Sequence, residues 1–203
     1  MARLTRVEQK ESNRDRVLEA AGKLFREKGF HGASVEEIAD DAGFSRGVIY
    51  SQFGSKDDLF LALTEQRMEW RTQRGVELIR DAPEGADLMR VLTDQQRKIQ
   101  ETDVPWTLAW LEFRIHAART PHLNARYAEL HRKSIARLAE VFALLISKAG
   151  LKPRFEPAEY ARFAAVLDTG GILERVTLGS GPIELATRAF QLVLNDPAGQ
   201  EIA

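Results

Sequence analysis

Two short helices joined through a single glycine leave a chain few ways to fold, and the stretch from Ser34 to Phe53 has that form. Ser34 and Glu37 stand at capping-box spacing, in which each side chain satisfies an orphan backbone N–H at a helix start. The helix predicted from there carries Val35, Ile38, Ala39 and Ala42 on one side and stops at Gly43, a residue that readily adopts the left-handed conformation of a helix stop. Only Gly43 and Phe44 precede Ser45, a natural N-cap for the next short helix, Arg46 to Phe53. Helices joined this tightly cross steeply, with Ile38, Phe44, Ile49 and Phe53 filling the crossing. That is the helix-turn-helix arrangement.

The flanking sequence supplies the rest of a small helical head. Upstream, Val17, Leu18, Ala21, Leu24 and Phe25 follow the spacing of an amphipathic helix, closed by Gly29. Residues 1–14 hold Arg3, Arg6, Lys10 and Arg14 with little apolar content, so a flexible basic N-terminal arm is expected, with Arg3 and Arg6 placed to enter a narrow minor groove. Downstream, Gly54-Ser55 breaks the chain; Ser55 as N-cap and Asp58 at N3 start a longer helix, running through Leu59 and Leu63 towards Trp70.

Beyond it the pattern stays helical, with breaks at Asp81–Gly85, Thr102–Pro105, Thr120-Pro121, Gly150–Pro157 and Leu178–Pro182, each marked by turn-forming residues. The expectation is an all-α chain of about nine helices: a helix-turn-helix domain over residues 1–60 and a larger helical domain over 61–203. No internal repeat of solenoid length recurs, which argues against a repeat architecture.

Composition removes most other chemistries. Lys and Arg number 29 against 30 Asp and Glu, so bulk positive charge does not drive nucleic-acid binding and any such contact must come from a local patch. Residues 1–60 hold 10 basic and 11 acidic side chains, and Glu36, Glu37, Asp40 and Asp41 are expected on the second helix, away from the third helix and the arm. With no cysteine there is no thiolate chemistry, and the 4 histidines lack metal-site spacing, so no metal or cofactor is expected. Asp168-Thr169-Gly170 matches an aspartic-protease triplet by letter, but it occurs once and in a helical pattern, whereas that chemistry needs paired carboxylates. Gly179-Ser180-Gly181 lacks the lysine of a phosphate loop and reads as a turn. No catalytic set emerges. The first thirty residues lack a signal peptide's apolar core and no apolar run is long enough to span a bilayer, so a cytoplasmic protein with no membrane partner is expected.

The segment SVEEIADDAGFSRGVIYSQFGSKDDLFLAL, Ser34 to Leu63, resembles the signature of TetR-family transcriptional regulators. The resemblance rests on Ile38-Ala39, Ala42-Gly43, Ser45, Gly47, Tyr50, Phe53, Lys56 and Leu59-Phe60, and covers the first third of the chain. Gln52 departs from it, standing where the family often has histidine; its amide can still hydrogen-bond a phosphate. The resemblance implies a dimeric DNA-binding regulator, a repressor by the family's habit, whose variable helical domain dimerises and binds a small effector.

The residues support that reading independently. A recognition helix needs polar side chains and close backbone approach on one face and core contacts on the other. Ile49 and Phe53 face inward, which leaves Arg46, Gly47, Tyr50 and Ser51 for the groove and its walls. Arg46, Gly47 and Ser51 are the candidate base contacts: Arg46 matches guanine O6 and N7, and Gly47 lacks a Cβ. Ser34, Tyr50, Gln52 and Lys56 are the candidate phosphate contacts; the alternatives are a ring of Tyr50 packed on the first helix and a solvated Lys56.

The larger domain is less explicit. The helix over 106–119 carries Trp106, Trp110, Phe113 and Ala117 on one stripe and Leu108, Leu111 and Ile115 on another, separated by Glu112, His116 and Arg119. A helix apolar on two sides is expected to be sandwiched. Its aromatic stripe either packs solidly or lines a cavity; in the second case Trp70, Trp106, Trp110, Phe113, His116 and Phe163 are candidates to surround a small apolar or aromatic effector. The family's last two helices form the dimer interface, which suggests Leu167, Gly170, Gly171, Leu185, Ala189, Phe190 and Val193. The mid-helix Gly170-Gly171 pair calls for an offsetting close helix approach, or else marks a kink. A helical adaptor that binds protein is the alternative to a DNA-binding regulator.

Overall fold

A computed structural model of the chain describes residues 6–179, Leu185 and residues 188–190. Among these the secondary structure is helical: α1 (Arg6–Gly32), α2 (Val35–Ala42), α3 (Arg46–Phe53), α4 (Lys56–Asp81), α5 (Leu88–Thr102), α6 (Val104–Ala118), α7 (Pro121–Ala149) and α8 (Pro157–Leu178). Leu185 and residues 188–190 are also helical. No helix among the described residues is long and apolar enough to cross a membrane. The chain forms two compact units, Met1–Arg67 with Val104–Leu130, and Met68–Asp103 with His131–Ala203. This division by packing differs from the expected division by function at residue 60, because α6 and the start of α7 belong with the first unit.

Local sequence accounts for the head. The Ser34 hydroxyl accepts from the Glu37 N–H at 3.2 Å while the Glu37 carboxylate accepts from the Ser34 N–H at 3.2 Å, which closes the capping box. Gly43 terminates α2 in the left-handed conformation at φ 72°. The Ser55 hydroxyl accepts from the Asp58 N–H at 3.1 Å and starts α4. The N-terminal segment corrects an expectation: the chain is helical from Arg6, so residues 6–14 are not a flexible arm. Glu8 lies in the first turn, where it complements the helix dipole, and extending a helix already nucleated by packing costs little. Arg3 lies outside the described residues.

The first unit's core is continuous. Val17, Ala21, Phe25, Ile38, Ile49, Leu59, Phe60, Phe113 and Leu123 are all buried. Phe60 stacks on Phe113 at 4.5 Å and on Trp106 at 5.1 Å, and Phe30 meets Phe113 edge-on at 5.1 Å. Within this unit α6 uses one apolar stripe: Ala109, Phe113 and Ala117 are buried, whereas Leu108 and Ile115 are exposed. The sandwiched placement expected of this helix is not what this unit shows.

The second unit gathers its core at one end. Ile79, Leu88, Val141, Phe142, Leu145, Tyr160, Ala161 and Phe190 form the buried cluster. Lys148 Nζ donates to the carbonyls of Ile79, Arg80 and Ala82 at 2.7, 2.9 and 2.7 Å. It thereby ends α4 with a cation at the negative pole of the helix dipole.

Candidate DNA-reading surface

On α3 the division of faces is sharp: Ile49 and Phe53 are buried, and Arg46, Gly47, Tyr50 and Ser51 are exposed. Tyr50 is 48% exposed, so its ring stands on the surface and not in a packed site against α1. Among the described residues a Cβ on Gly47 would meet only the Ser45 hydroxyl, at 3.7 Å, which leaves the backbone open to a surface pressed against it. The Ser51 hydroxyl donates to the Val48 carbonyl at 2.9 Å. Gln52 is half-buried, and its Oε1 is buried without a hydrogen-bond partner among the described residues.

The acidic residues of α2 are not remote, as the charge pattern suggested. Glu36 accepts a hydrogen bond from Arg46 of α3, and that bond holds the Glu36 carboxyl below the usual glutamate range. Lys23 pairs with Asp41, and Lys28 with Glu37 at 2.5 Å, so two basic residues of α1 offset two more of these carboxylates. The reason is geometric: steep crossing of α2 and α3 brings Glu36 beside the start of α3 even though the two residues are ten apart in sequence.

Lys56 is placed differently from its expected role. Its ammonium donates to the carbonyls of Phe30, Ala33 and His31 at 2.9, 3.1 and 3.4 Å, and lies 4.7 Å from the centre of the Phe30 ring. Burial holds it below the usual lysine range. It therefore gathers the end of α1 onto the start of α4. Gly29, just before this point, has φ 74° and ψ 175°, and a Cβ there would lie 2.7 Å from the Glu112 carboxylate oxygens. That carboxylate accepts from the His31 N–H at 3.2 Å. Glu112 of α6 is thus joined to α1 at a site only glycine opens.

The candidate effector residues separate between the units. Trp106, Trp110, Phe113 and His116 are in the first, and Trp70 and Phe163 in the second. Phe113 and Trp106 lie in the aromatic stack, Arg67 lies 4.4 Å over the Trp106 ring, and Arg114 4.8 Å over Trp110. His116 Nε2 is 3.5 Å from Asp57 and its ring lies against Phe30 and His31. Trp70 is 58% exposed, and Phe163 meets Phe190 at 5.4 Å.

The candidate dimer residues also face different ways. Leu167 packs against the second unit's core and Phe190 is inside it, whereas Gly170 and Leu185 are exposed and Ala189 is half-buried. Val193 lies outside the described residues. Val166 and Leu173, exposed on the side of α8 that carries Gly170, were not singled out from the sequence, though their seven-residue spacing could have found them.

A three-helix head that buries one face of a short helix after a tight turn and exposes the other defines a helix-turn-helix DNA-binding regulator. Residues 17–63 match the family model described as bacterial regulatory proteins, tetR family, and residues 84–192 match that of the BetI-type transcriptional repressor, C-terminal. The chain belongs to the TetR family of transcriptional regulators. It is 35% identical over 109 residues to the HTH-type transcriptional repressor AcnR of Corynebacterium glutamicum, a match covering 50% of this chain and 57% of the relative. To the HTH-type transcriptional activator FasR of Mycolicibacterium smegmatis it is 38% identical over 60 residues, covering 30% of this chain and 27% of that one. The crystal structure of a TetR transcription regulator from Haloarcula marismortui shares the fold with a TM-score of 0.70 at 19% identity, over 92% of this chain and 98% of the other. The chain spans little more than half the length of the curated repressor it matches.

Proposed function

We propose that this regulator is a homodimeric repressor that grips a near-palindromic operator through paired α3 helices and releases it when a small effector occupies the second unit. The observation that carries the DNA-reading part is the exposed row Arg46, Gly47, Tyr50 and Ser51 backed by buried Ile49 and Phe53. Arg46 reads a guanine edge after exchanging Glu36 for the base, Gly47 and Ser51 make the close approach, and Ser34, Tyr50 and Gln52 hold phosphates. Lys56 adds charge at a helix start, but with its ammonium directed at three carbonyls it acts chiefly by fixing the end of α1. The exposed Val166, Gly170 and Leu173 on one side of α8 support a partner helix there, and two-fold symmetry would set the spacing of the two heads. Repression follows the description of the C-terminal family model, and an activator among the relatives makes the sign of regulation a point for direct test. The cytoplasm is the compartment this function requires.

The test is selection of binding sites from a random duplex library with the purified protein, beside an Arg46→Ala/Tyr50→Phe variant. Enrichment of a palindrome that the variant loses supports a dimeric reader, with affinity falling steeply as salt rises. A lone half-site would overturn the dimer, and no enrichment at low salt would favour the adaptor reading.

A further inference from the structure

The two glycines at the middle of α8 face different environments. Gly170 shares the outer side with Val166 and Leu173, while Gly171 shares a side with buried Ile172 and with Asp168 and Arg175, which meet α4 and α5. Among the described residues nothing lies within 4 Å of where a Gly171 Cβ would be. At one end of this inner stretch Asp168 accepts from Gln96 of α5 and, at 3.4 Å, from Arg71 of α4, and Arg71 also donates to Gln96 at 2.6 Å. About 10 Å further along the helix, from its rise per residue, stands Arg175. Its side chain is 18% exposed and pairs with the Glu101 carboxylate of α5 at 3.8 Å, and its Nε is buried with no hydrogen-bond partner among the described residues.

We infer that the space between α5 and α8 beside Gly171 is a binding site for a carboxylate-bearing small molecule, held by Arg175. This inference rests on the effector reading above and gives that effector a chemical class. A buried guanidinium nitrogen without an acceptor is costly, and the planar edge formed by Nε and a terminal nitrogen matches the two oxygens of a carboxylate. Asp168 is already engaged by Arg71 and Gln96, so the acidic end of the site offers a cation little, and the unmet need is for an acceptor at Arg175. The missing side chain at Gly171 leaves room for the body of the ligand one turn before the charge.

The test uses the full chain and its selected operator, with octanoate, benzoate and succinate as probes, each beside its neutral amide, and thermal shift and operator affinity as readouts. At least one acid is expected to raise the melting temperature and shift operator affinity while its amide does neither. Arg175→Gln is expected to weaken that acid about tenfold or more, the loss of a charge-assisted hydrogen bond. Gly171→Leu, which fills the space one turn before Arg175 and retains its guanidinium, should abolish acid binding and keep operator binding, so the site is tested even if Arg175→Gln misfolds. Equal response to acid and amide, undiminished acid binding in both variants, or no response to any acid would each overturn the carboxylate site. If a neutral or cationic compound from a broader library then alters operator affinity, the effector reading survives alone; if no compound does, both fall.

Discussion

The two units solve one local problem in the same way and the larger problem in opposite ways. Each ends a helix with a lysine that collects three carbonyl oxygens, Lys56 for α1 and Lys148 for α4. Around Lys56, however, the first unit packs Phe25, Phe30, Phe60 and Phe113 ring on ring with no break. The second unit concentrates its buried residues near Phe142 and Tyr160 and sets the half-buried polar groups Arg71, Gln96, Asp168 and Arg175 on α4, α5 and α8. A head that presents α3 in a fixed orientation needs a close-packed interior, since dense packing resists deformation. On the proposed reading the second unit also binds an effector, which needs a region where polar groups and space remain. On that reading stability and sensing fall to different parts of one chain.

The largest effect that could break this contrast is removal of a core ring. Phe113 is fully buried between Phe30, Phe60 and Tyr127. Phe113→Ala should therefore cost roughly 3–5 kcal/mol in denaturant unfolding. Phe163 is only half-buried, at the margin of the second unit's core. Its truncation should cost distinctly less than that of Phe113, because less area returns to water and the margin can relax into the space left behind. Equal losses would show the second unit to be as tightly packed as the first.

A smaller effect should appear at the glycine bends. Gly29, at φ 74° and ψ 175°, occupies a region closed to other residues, and a Cβ there also strikes Glu112. Holding another residue in such a conformation costs about 1–3 kcal/mol. Gly29→Ala should therefore destabilise the protein and weaken operator binding, with Glu112→Ala restoring only the part due to the clash. Gly150, at φ 63°, has no described atom within 4 Å of where a methyl group would stand. Alanine there should cost about 1–2 kcal/mol, the ordinary penalty of the left-handed region. It should leave operator affinity intact. Unaltered operator affinity in Gly29→Ala would mean that the α1 bend does not position the head.

Features encoded within four residues of one another were legible in the sequence. The capping box at Ser34, the stop at Gly43 and the inward pair Ile49 and Phe53 depend on short spacings that a sequence displays directly, and so does the surface they leave on α3. Partners brought together by tertiary crossing were not. Lys56 reads as a free cation until Phe30, 26 residues away, supplies its acceptor. The same holds for Asp168, a chance triplet in sequence, whose partner Gln96 is 72 residues distant. Helix periodicity also overstated α6, since two apolar stripes do not reveal which of them a neighbour covers. The charged N-terminal segment showed the opposite error, because a helix can extend beyond its apolar stripe when its packed portion has already nucleated it.

The smallest expected effect separates the two faces of α8. Alanine at either Gly170 or Gly171 should stabilise the helix itself by about 0.5–1 kcal/mol, since glycine in a helix interior loses more backbone entropy. No described atom opposes a methyl group at either position. Their effects on assembly should differ. Gly170 lies with exposed Val166, at 70% exposure, so a methyl there should hold a partner helix away and weaken self-association in sedimentation velocity. Gly171 points towards α5, and its alanine variant should associate as the parent does while binding a carboxylate less tightly. Similar loss of association in both variants would place both glycines in one interface and remove the distinction between an assembling face and a sensing face.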